Sequence, residues 1–346
     1  MITAIDFGCY AIRSTFREGI SGVPVTMYSE KSEYVVLPNI ERYQQLLEAH
    51  EVPYAVCEDT LAIYGNQVAQ TRWLSRMPSA SIFNGGMVPS DDPPARQILD
   101  LICSAILPSP GAGLNLCAFT VPGSERRDVS QEFLSRLIRM RGYEPLVVSA
   151  ADVVMLAEGS ETSFSGISVV IGAETSEVSI SRLGITLAST VIPVGADWID
   201  IELARQFQIH VFDETGEAWL DLEAVREWKH RLERNLRSSV DEREKVLSRL
   251  YGAVLDRIAQ AIRQLMAQPK VQAAIGDKRQ NVICSGGATR IAEFASVLTE
   301  RFVDHDIANR IQSVRRVDDP ELTVVRGLLI SSELEARCRR QSRTAA

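Results

Sequence analysis

Apolar and polar positions alternate in blocks that predict strands, then helices, twice along the chain. Residues 2–7 read as a short apolar strand, followed by a second over Ala11–Phe16. Val23–Tyr28 and Tyr34–Leu37 continue the strand pattern, punctuated by Gly22 and Pro38. Helical spacing follows at Arg42–His50, a strand at Tyr54–Cys57, and a helix at Asp59–Gln70 opening on an acidic cap. After the Pro- and Gly-rich stretch Ser75–Pro94 come an amphipathic helix at Ala95–Leu107 and a strand at Leu114–Val121. Ser124 is placed to cap a helix running to Met140, with a strand at Tyr143–Val148 and a small-residue helix at Ala150–Gly159.

The second block opens on the most distinctive segment, Ser168–Ser181: a buried strand, a turn at Gly172 and a second strand. A strand near Leu187–Val194 and a helix over Trp198–Gln208 follow. From Leu220 to Gln268 apolar residues recur at helical spacing, first Leu222, Val225, Trp228, Leu232 and Leu236, then Leu250, Val254, Ile258, Ile262 and Leu265. Such stripes are core faces. Asn281–Cys284 reads as a strand, Ser285-Gly-Gly-Ala288 as a turn, Ile291–Phe302 as a helix, Arg315–Val317 as a strand, and Glu321–Glu335 as a closing helix before the basic tail Arg337–Arg343. The repeated alternation predicts an α/β protein with two similar halves.

Composition narrows the class. A chain of 346 residues, 45% hydrophobic and 24% charged, has material for two soluble domains. A formal charge of −8 argues against nucleic acid as a partner, because phosphate binding needs a basic face. The six cysteines are scattered without a CxxC or Cys/His pairing, so they read as reduced core thiols and not as metal ligands. No apolar run reaches the ~18 residues of a membrane span, and no secretory signal opens the sequence, so the expected location is cytoplasmic.

Three glycine turns carry the candidate chemistry, since glycine lets a backbone approach phosphate oxygens closely. Asp6-Phe-Gly8 follows the first strand and Gly172-Ala-Glu-Thr-Ser176 the 168–171 strand; the hydroxyls of Thr175 and Ser176 stand where a phosphate clamp needs donors. Ser285-Gly-Gly-Ala-Thr289 places two glycines at the mouth of an expected helix, whose amides and dipole attract anions. Each turn alone also fits an ordinary tight connection.

Taken in order, these segments resemble the actin, sugar-kinase and heat-shock-chaperone superfamily, and most of all the bacterial actin homologue MreB. Ile5-Asp-Phe-Gly8 resembles the first phosphate loop and Gly85–Asp91 the segment that leads into the next helix. Val121–Arg127 resembles the first connecting turn, and Ala150–Gly159 the second connecting helix. Ile171–Val178 resembles the second phosphate loop and Val194–Asp200 the segment after it. Lys229 falls at a lysine near the nucleotide, Ser285-Gly-Gly-Ala288 resembles the adenosine loop, and Val317–Gly327 the closing segment.

The resemblance implies two domains of duplicated ribonuclease-H-like topology around a central nucleotide cleft. Domain I takes residues 1–147 plus about 321–346, with a small insert at about 30–80; domain II takes 148–320, helical over 220–268, with its small subdomain reduced. ATP with Mg²⁺ is the implied cofactor. Asp6, Gly8, Cys9, Gly172, Thr175, Ser176, Gly195, Asp197, Lys229, Gly286, Gly287 and Ala288 are the implied nucleotide contacts, with Asp6 holding Mg²⁺ through water. Filament formation, self-association or envelope-associated partners, peripheral contact at the inner membrane face and a role in cell shape complete the expectation.

The departures fall on the chemistry. Val170 stands where the second loop has an acid, and Glu174 where it has glycine. A carboxylate about 4 Å from a phosphate, at an effective dielectric near 20, costs about 4 kcal/mol. The second connecting helix opens Ser149-Ala-Ala151 in place of acids, with Asp152 displaced along it; Arg226 replaces an acid three residues before Lys229; Ser285 replaces a glycine. Phosphoryl transfer needs a metal-organising carboxylate and a group that orients water. The leading expectation is an MreB-like scaffold or filament protein with weakened or lost hydrolysis. A second is a working Mg-ATPase with catalytic groups among Asp6, Asp152 and Glu174. A third is a non-filament adaptor resembling FtsA or PilM, with the basic tail touching anionic lipid.

Overall fold

The computed structural model describes all residues except 18–25, 72–73, 75–77, 124–126, 213–215, 232–234, 238–240 and 345–346. The cap at Ser124, the Gly22 turn, Leu232 and the start of the strand expected from Val23 therefore lie outside the described residues.

Two compact units divide the chain: Met1–Val147 with His210–Trp219, and Val148–Ile209 with Leu220–Ala346. In the first, β1 (Ile2–Phe7), β2 (Ala11–Arg17), β3 (Thr26–Lys31), β8 (Leu116–Phe119) and β9 (Glu144–Val147) form one sheet in the order β3-β2-β1-β8-β9. The β1–β2–β3 meander is antiparallel, and β8 and β9 join parallel to β1. Parallel central strands are covered on both faces, which is why Leu116–Phe119 is buried at every position. The covering helices are α3 (Pro93–Ile106) and α4 (Arg127–Met140). Asp92 caps α3 by accepting from the Ala95 N–H at 3.0 Å, and Pro93 and Pro94 occupy positions where a missing N–H removes no bond. Ile98, Leu99, Ile102 and Ile106 pack inward beside Phe7, which meets Phe83 and Phe119 edge-on.

A smaller sheet holds the insert. It contains β4 (Glu33–Pro38), β5 (Ala55–Cys57), β6 (Thr60–Tyr64) and β7 (Ala80–Ser81) in the order β5-β6-β4-β7, with α1 (Glu41–Ala49) and α2 (Gln67–Gln70) alongside. The stretch expected as one helix over Asp59–Gln70 is thus a strand over Thr60–Tyr64 followed by a short helix over Gln67–Gln70. Leu61, Ala62 and Ile63 are all buried, and β6 pairs on both edges, so tertiary pairing overrides the helix preference of Leu and Ala.

The second unit repeats the first. β10 (Gly166–Ile171), β11 (Ser176–Arg182), β12 (Ile185–Ile192), β15 (Gln280–Ser285) and β16 (Ile311–Arg316) stand in the order β12-β11-β10-β15-β16, with the same antiparallel meander and the same two parallel additions. Around them lie α5 (Ala150–Glu158), α6 (Ala196–Gln206), α7 (Leu222–Lys229), α8 (Glu242–Met266), α9 (Pro269–Ile275), α10 (Phe294–Asp304) and α11 (Thr323–Thr344). Asp241 caps α8 through the Glu244 N–H at 2.8 Å, and the stripe Leu250–Leu265 enters the core as its spacing predicts.

The 220–268 region is less continuous than its stripe implies. β13 (His210–Phe212) and β14 (Ala218–Leu220) pair ahead of α7, and the chain leaves helical form after Lys229. The closing helix also differs. It continues to Thr344 through the basic tail, with Ala336 buried and Arg339 paired to Glu335 one turn back. Its contacts, chiefly with α5, group it with the second unit, where the sequence reading joined 321–346 to the first. Among the described residues no helix is long and apolar enough to cross a membrane.

Candidate functional site

The duplicated hairpins match residue for residue. The last β1–β2 pair is Phe7 with Ile12, and the last β10–β11 pair is Ile171 with Ser176, so each hairpin closes through four residues, 8–11 and 172–175. A Cβ on Gly8 would stand 2.6 Å from the Ala11 carbonyl oxygen, and one on Gly172 would stand 3.0 Å from that of Thr175. Both loops need glycine first for the same reason: the chain folds back onto that atom. The Gly172 N–H donates to the Thr175 carbonyl at 2.9 Å.

This register aligns Asp6 with Val170 and Thr120 with Ser285, since Asp6 lies one residue beyond the Ile5–Phe119 pair while Val170 pairs with Ser285. In the first unit the Thr120 hydroxyl donates to Asp6 Oδ1 at 2.8 Å and accepts from the Phe7 N–H at 3.0 Å. In the second unit no carboxylate stands at that position, and the Ser285 hydroxyl donates to the Pro320 carbonyl at 3.1 Å. Opposite Asp6 on β2 is Arg13; opposite Val170 on β11 is Glu177.

Glu177 is the residue sequence reasoning passed over. It is buried, and its Oε2 accepts from the Ser149 hydroxyl at 2.7 Å and the Ala151 N–H at 3.3 Å, at the start of α5. A carboxylate at a helix N-terminus is favoured by the unpaired amides there. The signal was present: a four-residue loop after Ile171 puts residue 177 directly across from Val170. Asp152 turns elsewhere, accepting from the Ser179 hydroxyl.

The second loop is closed by its own unit. The Ala196 and Asp197 N–H groups, first in α6, donate to the carbonyls of Gly172 and Ala173 at 2.9 Å each. Gly195 makes room, since a Cβ there would lie 2.3 Å from the Ala173 oxygen. The Ser176 hydroxyl donates to the Val194 carbonyl at 2.8 Å, so of the two hydroxyls assigned to phosphate, that of Ser176 already holds the loop. Burial raises the Glu174 carboxyl above the ordinary carboxylate range; Asp197 adds to the rise and Arg226 opposes it.

Lys229 lies in a buried ion cluster. Its ammonium pairs with Asp200, whose other oxygen is 3.4 Å from Arg226 Nε, and Arg226 reaches Asp197 Oδ1 at 2.9 Å. Arg226 replaces an acid in the sequence comparison, and here it joins α7 to α6. The side chains of Lys229 and Asp200 are 4% and 1% exposed.

Gly286 sits at φ +98°, and a Cβ there would be 2.2 Å from the Ile171 oxygen, so its glycine serves strand packing. Gly287 is different: a Cβ would meet nothing within 4 Å. Ala288 is buried and its carbonyl accepts from the Tyr251 hydroxyl at 3.1 Å. The expected helix does not begin at these glycines. A single tight turn spans Gly287–Arg290 and α10 starts at Phe294, so the helix-dipole argument for an anion there falls away. In the first unit Cys9 lies beside Gly86, which packs against Gly123 so closely that a Cβ on either would overlap the other's backbone. Among the described residues no group of three or more His, Cys, Asp or Glu side chains is arranged around a metal.

Comparison with known proteins places these features. The family model described as Volactin matches residues 1–332. A sequence search of curated proteins finds no match. Among solved structures, the MamK double helical filament is 17% identical over 96% of this chain and 98% of its own, with a TM-score of 0.69. MreB5 of Spiroplasma citri bound to AMPPNP is 14% identical over 98% of both chains, with a TM-score of 0.68. The ethanolamine utilization protein EutJ from Carboxydothermus hydrogenoformans is 16% identical over 95% of this chain and 89% of its own, at 0.51. At these identities the likeness shows the fold.

Proposed function

The chain belongs to the volactin family and has the actin-like fold, and from that premise we propose that it is a self-associating cytoskeletal or scaffold protein that binds ATP and hydrolyses it weakly or not at all. The observation that carries this reading is the pair of register-matched four-residue loops, one with Asp6 before it and one with Val170. Two solved relatives support it by what they are: one a double helical filament, the other bound to AMPPNP.

The residues present fit a nucleotide in part. Gly287 leaves open space that nothing in its own unit requires, as a backbone needs where a flat base lies against it. Asp6, held by Thr120, would hold Mg²⁺ through water, with the 8–11 backbone next to it in the chain for the phosphates. Bound Mg²⁺ would neutralise phosphate charge and polarise the transferred phosphoryl group. This chain adds little beyond that. Glu174 brings a half-buried carboxyl to the second loop, and the amides of Ala196 and Asp197 already bond its carbonyls. A role in cell shape or envelope organisation, at the inner face of the membrane, is the cellular part of the proposal.

Calorimetry with ATP and Mg²⁺, electron microscopy and phosphate release on one preparation test it. The expected result is binding and filaments with turnover far below that of an active relative; turnover at the level of one overturns the weakened-hydrolysis reading. Glu177 favours a second reading, a working Mg-ATPase, because a buried carboxylate stands across the strands from the missing one. Turnover lost in Glu177→Gln with nucleotide affinity kept supports that alternative.

A further inference from the structure

The second loop presents a carboxylate that is half-buried yet unpaired. The carbonyls of Gly172 and Ala173 accept from the start of α6, and the Ser176 hydroxyl is bound to Val194. Glu174, at the tip of the same loop, has no hydrogen bond or ion pair among the described residues. Two charged groups act on it. Asp197 on α6 repels it, and Arg226 on α7 attracts it. Arg226 is already held, by Asp197 at 2.9 Å and by Asp200 at 3.4 Å, and Lys229 is taken up by Asp200. Among the described residues the cluster thus sets three carboxylates, Glu174, Asp197 and Asp200, against two cations, Arg226 and Lys229. Asp197 and Asp200 each have a cation in contact, so the excess negative charge falls on Glu174. A half-buried carboxyl without a partner is costly to the fold and points to a ligand-binding role.

The same unit brings this loop beside the open backbone at Gly287. Val170 pairs with Ser285, and a Cβ on Gly286 would come within 2.2 Å of the Ile171 oxygen. Gly172 and Gly287 each lie one residue beyond that contact, so the loop and the open glycine leave the sheet side by side. Along the Gly287–Arg290 turn the charges balance. Arg290 pairs with Glu321. His230 lies within electrostatic reach of both; burial, and then Lys229, pushes its imidazole below the usual range, so it adds no charge at neutral pH. A phosphate chain that runs from Gly287 towards the loop therefore meets one uncompensated carboxylate.

We propose that Glu174 selects the ligand by charge, so that the second unit holds a nucleoside diphosphate in preference to the triphosphate. A further phosphate adds negative charge, and like charges in a partly buried site repel with little screening. Mg²⁺ accompanies both nucleotides, so the difference between them remains. Protonating Glu174 removes the repulsion, and binding the triphosphate therefore draws a proton onto the carboxyl. The inference rests on the nucleotide-binding reading above and narrows it to the diphosphate.

The experiment titrates the full chain and Glu174→Gln, both freed of nucleotide, with Mg-ADP and Mg-ATP in a calorimeter. It is run at about pH 7.5 and about pH 5.5, in two buffers of different ionisation enthalpy, which gives the protons taken up on binding. At the higher pH wild type should bind ADP at least about tenfold more tightly than ATP, the effect of one charge even ~12 Å away at an effective dielectric near 20. It should also take up more protons with ATP than with ADP. Both differences should shrink in Glu174→Gln, which loses no contact and should melt no lower than wild type. At the lower pH wild type should approach the variant. The nucleotides' own protonation is common to both proteins, so the variant is the reference. An ADP preference equal in wild type and Glu174→Gln overturns this inference alone. Weaker binding of both nucleotides in the variant, with the preference unchanged, makes Glu174 an acceptor for a sugar hydroxyl or a metal and also overturns it. Binding of neither nucleotide to either protein overturns it together with the nucleotide reading.

Discussion

Replacing Lys229 tests whether this lysine serves nucleotide or fold. Its ammonium and the Asp200 carboxylate are 4% and 1% exposed, and a second cation, Arg226, lies 3.4 Å from Asp200. Lys229→Met keeps the apolar stem and removes the charge, so buried Asp200 loses its paired ammonium and keeps Arg226, at 3.4 Å, from this cluster. Breaking one side of a buried pair costs about 3–5 kcal/mol, because the remaining charge stays desolvated. For a unit of this size each kcal/mol moves the melting temperature by roughly 2–4 °C. The expected loss is therefore about 6–20 °C, measured calorimetrically on protein freed of nucleotide. Lys229→Met with Asp200→Leu should recover most of it, since removing both charges leaves none stranded. A lysine serving only as a nucleotide contact behaves oppositely: Lys229→Met then melts within about 2 °C of wild type and loses ATP affinity. That result would refute the structural assignment.

Val170→Asp restores the acid of the second loop but sets it directly opposite buried Glu177, where paired side chains stand about 5 Å apart. At an effective dielectric near 20 this repulsion is about 3 kcal/mol, so the variant should unfold in less urea at pH 7 and recover when Glu177→Gln is added. Glu174 has a folded-state pKa above its unfolded one, so its favourable contribution is present in acid and lost as pH rises through the folded value. Glu174→Gln should therefore raise the melting temperature at pH 7 and bring no gain at pH 4; an equal gain at both would show that its charge is not responsible. Gly286→Ala drives a methyl to within 2.2 Å of the Ile171 oxygen at φ +98°, and should cost at least about 3 kcal/mol in chemical unfolding or leave the protein insoluble. Gly287→Ala meets nothing and should unfold like wild type while weakening nucleotide binding in calorimetry.

Local patterning determined a great deal by itself. The runs Ile2–Phe7 and Ser168–Ile171, each followed by a glycine, specify the two equivalent hairpins, because strand patterning and a turn residue act over neighbouring positions. The α8 stripe and the Asp92 and Asp241 caps are equally local. What the tertiary structure decided involves partners far apart in the chain. Leu61–Ile63 became a strand because β4 and β5 flank it. The turn expected at Ser285–Ala288 is held against Ile171 and Pro320, and the helix expected from Ile291 starts only at Phe294. Lys229 found Asp200, 29 residues earlier, once α7 lay along α6. Glu177 reached Ser149 and the mouth of α5, 28 residues earlier, once β11 was paired. A charge has no assigned role until folding sets its neighbours and removes its water, so the two loops were visible in the sequence, while the company their carboxylates and cations keep belonged to the fold.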